Sequence, residues 1–261
     1  LAMILPQVVP ALCEATVSAR SEIQKEVRKV LDRIGATIGH RDIAALAPEL
    51  IAALSDPTEG PVAKALDSLL SAVYTTAIDG AACALVCPVV ERALTRGDAD
   101  AQKKGANFAR GLVLHAGDSE ELAPYLAALK APLQALLAHP NPAVRESAAQ
   151  AIGSFAAAPA KNDGADASAD LLAKLAQPQD GAELEGSAQG IAATLASVAE
   201  ERRQELLAEL LREDVASSGR LARLCVLAHL PRAAGGSAGG PVAAAVVTAL
   251  PTLGRALADA D

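Results

Sequence analysis

Apolar residues in this chain fall into paired helical stretches, and the pairs return about every forty residues. That return limits the fold more than any other feature of the sequence, because repeats of roughly 20–50 residues mark units that cannot bury their apolar faces alone. In residues 4–17, Ile4, Leu5, Val8, Val9, Leu12 and Cys13 lie on one helix face. A polar break at 18–21 leads to a second helix carrying Ile23, Val27, Val30, Leu31 and Ile34. Further pairs follow at 43–54 with 61–74, 81–94 with 101–114, 121–138 with 143–156, 167–176 with 182–199, and 202–212 with 220–230. A stretch at 242–257 reads as the first helix of a seventh pair. The pattern predicts an all-α chain of about six and a half hairpins, at 4–38, 41–76, 79–116, 118–157, 165–199, 200–233 and, in part, 241–261.

The turns inside the hairpins can be marked by Arg20, Asp56, Asp98, Asn141, Asp180, Asp214 and Asp259, at steps of 36, 42, 43, 39, 34 and 45. Steps near forty belong to HEAT and armadillo units rather than to ankyrin or tetratricopeptide arrays. Asp and Asn at such turns can accept the free amide protons of the following helix. Pro10, Pro48, Pro88, Pro132 and Pro251 fall at like positions inside first helices, where each removes one backbone hydrogen bond. Arg145, early in the second helix after Asn141, is placed to bridge to a neighbouring turn. The fold expected is a HEAT-repeat α-solenoid, a single array. Both ends open on apolar repeat faces rather than polar caps, so a longer solenoid is expected around it. Residues 158–168 and 233–240, rich in small residues, read as linkers.

Composition agrees with closely packed helices. Hydrophobic residues make up 51% but aromatics only 2%, so the core must be built from Ala, Leu and Val. No apolar run approaches a membrane span, and the start lacks a signal-peptide pattern. Four sparse cysteines suit a reducing compartment, so a cytoplasmic location is expected. The glycines of 235–240 lack the strand and the Lys-Ser/Thr of a phosphate loop and read as a linker. Cys83 and Cys87 lie one helical turn apart with no third ligand near, and read as buried core thiols. His40, His115, His139 and His229 have no nucleophile or acid at a catalytic spacing. No active site, cofactor, metal or small-molecule substrate is expected.

A net charge of −8 leaves the chain no general affinity for polyanions, so nucleic-acid contact requires a local basic patch. One candidate exists on second helices: Lys25, Arg28, Lys29 and Arg33 in the first hairpin, with Lys103, Lys104 and Arg110 in the third. Such a stripe can meet phosphate. The bland reading is a solvated face with pairs such as Glu26 with Lys29 or Arg33. Scarce aromatics argue against reading bases by stacking.

Several stretches carry a family resemblance. Ile38 to Pro48 (IGHRDIAALAP), then Leu54-Ser55-Asp56-Pro57-Thr58-Glu59, resembles the HEAT region shared by fungal elongation factor three and the large ribosome-bound activator of the general amino-acid control kinase. Leu85 to Leu94 (LVCPVVERAL) with Lys103-Lys104-Gly105, and Leu122-Ala123-Pro124-Tyr125-Leu126, do so too. Gly186-Ser187-Ala188-Gln189-Gly190-Ile191-Ala192 and the stretch from Arg220 to Arg232 resemble the activator in particular. The match marks Asp56, Pro88, Asn141, Arg145, Gly186, Gln189 and Gly190 as repeat-structural positions. The sequence departs from the family at Leu184-Glu185, where an Arg is usual, and at Arg220-Leu221-Ala222-Arg223.

The resemblance implies a non-catalytic scaffold on translating or stalled ribosomes, helping to switch on the kinase that phosphorylates the alpha subunit of initiation factor two. Its implied partners are the ribosome (protein and rRNA), an ABC-type ATPase and the general-control kinase. Two alternatives stand beside it: the HEAT portion of an elongation-factor-three-like ABC ATPase, and an unrelated HEAT adaptor such as a transport receptor or phosphatase scaffold.

Overall fold

The computed structural model describes residues 4–16, 20–56, 58–115, 120–158, 167–175, 177, 181–211, 217–234, 247 and 251. The markers Asp180, Asp214 and Asp259, the loop at 235–240, most of the 158–168 linker and all but two residues of the 242–257 stretch lie outside them. The described residues form twelve α-helices, one 3-10 turn and no strand. The helices are α1 (Leu5–Ala15), α2 (Ser21–Ala36), α3 (Arg41–Ser55), α4 (Glu59–Ser71), α5 (Gly80–Arg96), α6 (Ala99–His115), α7 (Ala123–Leu136), α8 (Pro142–Ala157), α9 (Ser168–Leu175), α10 (Gly181–Ser197), α11 (Glu200–Leu210) and α12 (Ser217–Ala233). The 3-10 turn Glu120–Leu122 leads into α7. All twelve helices of the six complete hairpins are therefore present, with ends a few residues from those the periodicity predicts. At α12 the difference has a plain cause: Pro231 lies within its last turn and does not end it.

Side chains explain where helices begin. Asn141 Oδ1 accepts the Ala143 amide at 2.9 Å, and Asp98 Oδ1 the Ala101 amide at 2.8 Å, so both act as N-caps of second helices. First helices are capped as well. Asp79 Oδ1 accepts the Ala82 amide at 2.7 Å, and the buried His40 accepts the Ile43 amide through Nδ1 at 3.4 Å. Pro10, Pro48, Pro88 and Pro132 lie inside α1, α3, α5 and α7, as their spacing predicts.

The chain divides into two compact units, one covering the described residues up to Pro132 and the other those from Leu133 onward, apart from the linker. In the first unit α5 is the central element. Its residues Ala82 to Cys87, Val89, Val90, Ala93 and Leu94 are all buried, and it packs against α1, α3, α4 and α6. Leu31, Ile43, Leu50, Leu54, Leu66, Leu69, Leu85 and Leu112 are almost wholly buried there. The stacking departs from a strict neighbour-to-neighbour ladder, since α1 packs on α5, two hairpins on, while α2 covers α3.

In the second unit α10 takes the central place, packed against α8, α9, α11 and α12. Small residues set its spacing. A Cβ on Gly153 of α8 would stand 2.6 Å from the Ala193 carbonyl oxygen of α10, and one on Gly186 would collide with the Leu137 carbonyl. The backbones approach because these positions carry no side chain. Gly186→Val should therefore destabilise the fold by about 1–3 kcal/mol, as overpacking does. Gly181→Ala, with nothing within 4 Å of its Cβ, should be nearly neutral. Urea unfolding followed by circular dichroism measures both, and equal midpoints would contradict this packing.

Candidate interaction surfaces

Three arginines organise the helix ends. The last turn of a helix leaves carbonyl oxygens without intrahelical partners, and cationic side chains satisfy them well. Arg92 of α5 donates through Nη1 to the carbonyls of Ala53, Leu54 and Asp56 at 2.5, 3.3 and 3.2 Å, closing the end of α3 in the preceding hairpin. Arg145 donates through Nη1 to the carbonyls of His139 and Pro140 at 2.8 and 3.0 Å, and through Nη2 to Glu185 Oε2 at 2.5 Å. The turn it holds is thus its own hairpin's, and what it reaches in the next hairpin is a carboxylate. Glu185 supplies the counter-charge for a guanidinium that is only 5% exposed. Arg203 closes α10 by donating to the Leu195 and Val198 carbonyls at 2.7 and 2.8 Å, with Glu200 beside it.

The sequence pattern assigns no role to Arg92, which lies in the LVCPVVERAL stretch, or to Arg203. For Arg92 the available signal was its distance of one repeat from Asp56. The named structural positions are otherwise spread over both units. Asp56 accepts the Thr58 amide at 2.9 Å, which holds its carboxyl below the usual range. Gln189 donates to Glu185 at 3.5 Å, and Gly190 lies against Leu171.

The seven basic residues do not act as one group. Arg28 pairs with Asp32 at 3.4 Å and Lys29 with Glu26 at 2.6 Å, each within α2. Lys104 is held by Asp67 of α4 at 2.7 Å and Asp100 at 2.8 Å, and hydrogen bonding to both raises its pKa, Asp100 first. These cations are neutralised locally, and Lys104 ties α6 to α4. Lys25, Arg33 and Lys103 are exposed and carry no ion pair among the described residues. Arg110 is exposed with an interaction of its own.

Cys13, Cys83 and Cys87 are held in the packing, and His40 and His139 make hydrogen bonds to nearby backbone. Cys83 and Cys87 are both buried; the hydrogen bond to Cys87 and then burial push the Cys83 thiol up. Burial likewise raises Cys13 to about 11, leaving a thiol rather than a nucleophilic thiolate at neutral pH. His40 Nε2 lies 3.1 Å from the Thr76 hydroxyl and 3.3 Å from its carbonyl, and Asp42 accepts the Thr75 amide at 2.9 Å. Together they strap the loop after α4 to the start of α3. His139 Nδ1 accepts the Asn141 amide at 3.0 Å in the turn before α8. The side chain of His115 lies outside the described residues. Among the described residues no three His, Cys, Asp or Glu side chains form a group able to hold a metal ion. No described helix is long and apolar enough to cross a membrane. Over α10, an Arg232–Glu146 pair at 2.8 Å spans from α12 to α8 above Gln189 and Ala193. The space beneath is about 40 Å³, the scale of a water molecule rather than of a ligand.

The hairpins, their capped turns and the prolines of the first helices are what a HEAT array requires, and comparison with known proteins agrees. Residues 59–166 match the family described as "Elongation factor 3/GNC1 HEAT repeat". The matched stretch takes in α4 through α8, including Arg92 and Arg145.

"Stalled ribosome sensor GCN1" of Homo sapiens is 31% identical over 231 residues, covering 87% of this chain and 9% of that protein. "eIF-2-alpha kinase activator GCN1" of Saccharomyces cerevisiae is 27% identical over 207 residues, 79% of this chain and 8% of that protein. "Elongation factor 3" of Mycosarcoma maydis is 26% identical over 129 residues, 49% of this chain and 12% of that protein. The chain therefore spans about a tenth of the length of the GCN1 relatives it matches.

Arg92→Met should cost about 1–3 kcal/mol, since three carbonyls at the end of α3 lose a charged donor. Arg28→Met, which breaks only an exposed pair, should cost under about 0.5 kcal/mol. Denaturant titration compares the two; an Arg92 variant as stable as the Arg28 variant would refute the clamp.

Proposed function

We propose that this chain is part of a non-catalytic, cytoplasmic scaffold of translational control. The scaffold associates with ribosomes and helps activate the kinase that phosphorylates the alpha subunit of initiation factor two under amino-acid starvation or ribosome stalling. What carries the reading is the extent of similarity. Relatives named as a stalled-ribosome sensor and an eIF-2-alpha kinase activator align over 87% and 79% of the chain, whereas the elongation factor aligns over 49%. The reading favours an interaction piece over the alternative of a segment from an ABC ATPase. It takes the hairpins as consecutive members of one HEAT array within a longer protein. The partners proposed for the whole are ribosomal protein and rRNA, an ABC-type ATPase and the general-control kinase.

Of the seven basic residues, those left for rRNA are Lys25, Arg33 and Lys103, because Arg28, Lys29 and Lys104 already face carboxylates and Arg110 has an interaction of its own. Contact with phosphate should depend steeply on salt, each contact adding about 0.7–0.9 to the slope of log K against log salt. The purified chain should co-sediment with ribosomes at low salt. Reversing Lys25, Arg33 and Lys103 to Glu should weaken binding and lower that slope by about two to three. Co-sedimentation unchanged by the triple reversal would exclude this surface, and no co-sedimentation at any salt would remove the chain from the ribosome.

A further inference from the structure

Between the turns of the second and third hairpins, the first unit forms a half-open cavity of about 210 Å³. Val62 and Ala63 of α4 and Ala101 of α6 form apolar walls, and Arg92 and Arg96 at the end of α5 supply the charge. Asp98 also lines it, its carboxylate accepting the Ala101 amide at 2.8 Å and keeping its negative charge. The hydrogen bonds of Arg92 run through Nη1 alone to the carbonyls that end α3, which fixes the guanidinium in place. Arg96 follows one helical turn later and is exposed. Neither guanidinium pairs with a carboxylate among the described residues.

We propose that this cavity docks an acidic peptide segment of a protein partner. One apolar side chain enters between Val62, Ala63 and Ala101, and a neighbouring Asp or Glu meets Arg92 and Arg96. The volume falls below the roughly 300 Å³ at which sites for whole small molecules begin, so it suits one side chain of a larger partner. A guanidinium held beside an apolar wall pairs well with a carboxylate, because both lose water together and the fork geometry matches. Two guanidiniums against the one carboxylate of Asp98 leave this lining net positive in a chain of net charge −8, which favours an acidic segment here. RNA fits less well: its phosphates would use the arginines, but the walls offer no aromatic ring on which a base could stack. None of Lys25, Arg33 and Lys103 lines the site, and it stands whether or not the chain binds ribosomes.

The test is selection of random peptides about a dozen residues long against the intact chain, followed by fluorescence anisotropy with a labelled peptide of the enriched sequence. Enrichment is expected for one large apolar residue with Asp or Glu within two positions. Arg96→Glu, at an exposed position, and Ala63→Leu, which fills the cavity, should each weaken binding by about tenfold or more, the scale of a central contact. Unchanged circular dichroism would show that the fold persists, and Arg96→Glu alone decides if Ala63→Leu does not fold. The proposal is overturned if no such sequences are enriched, if Arg96→Glu leaves affinity unchanged, or if a short oligouridylate displaces the peptide.

Discussion

Each compact unit depends on one helix that must be covered on almost every side. In the first unit it is α5, whose run from Ala82 to Leu94 is apolar nearly throughout apart from Pro88, Glu91 and Arg92. In the second it is α10, where even Ser187 and Thr194 are buried. A helix apolar all round cannot stand in water and needs neighbours on each flank. The surrounding helices, marginal by themselves, gain most of their stability from lying against it. The two centres are packed differently. Leucine and isoleucine fill the space near α5, whereas glycine and alanine draw α8 and α10 together until backbone meets backbone. That second mode explains how a chain with so few aromatics has a core: it lowers the volume to be filled instead of supplying larger side chains.

Arginine does what ring stacking does in richer cores, in that it fixes one hairpin relative to the next. Arg92 reaches back about one repeat to the end of α3, and Arg145 reaches forward 40 residues to Glu185. Both link adjacent hairpins, one through the carbonyls at a helix end and the other through a carboxylate on a second helix. The same economy limits the surface available to partners. Lys104, which looks free in a basic run, is committed to Asp67 on α4.

The sequence made the hairpins legible because a 3.6-residue period, an Asp or Asn at the turn and a mid-helix proline are local signals that agree with one another. Asn141, Asp98 and the four prolines inside first helices behave as their positions imply. The contact of α1 with α5 was not legible, since no periodicity states which neighbour an apolar face will choose. Nor was the pairing of Lys104, because Asp67 lies 37 residues away on a different helix. The interaction sites were the least legible part. Whether a cation is free or neutralised depends on side chains one repeat distant, and the cavity beside Arg92 exists only once the turns of two hairpins stand side by side.

Native-state hydrogen exchange tests the central claim, that each unit is organised around a single buried helix. Backbone amides open with free energies that rise toward the element on which the remainder depends. The slowest amides of the first unit should lie in α5, from about Cys83 to Val90, and those of the second in α10, from about Ala188 to Leu195. Slowest exchange in α2 or α11, or uniform protection along all helices, would contradict it.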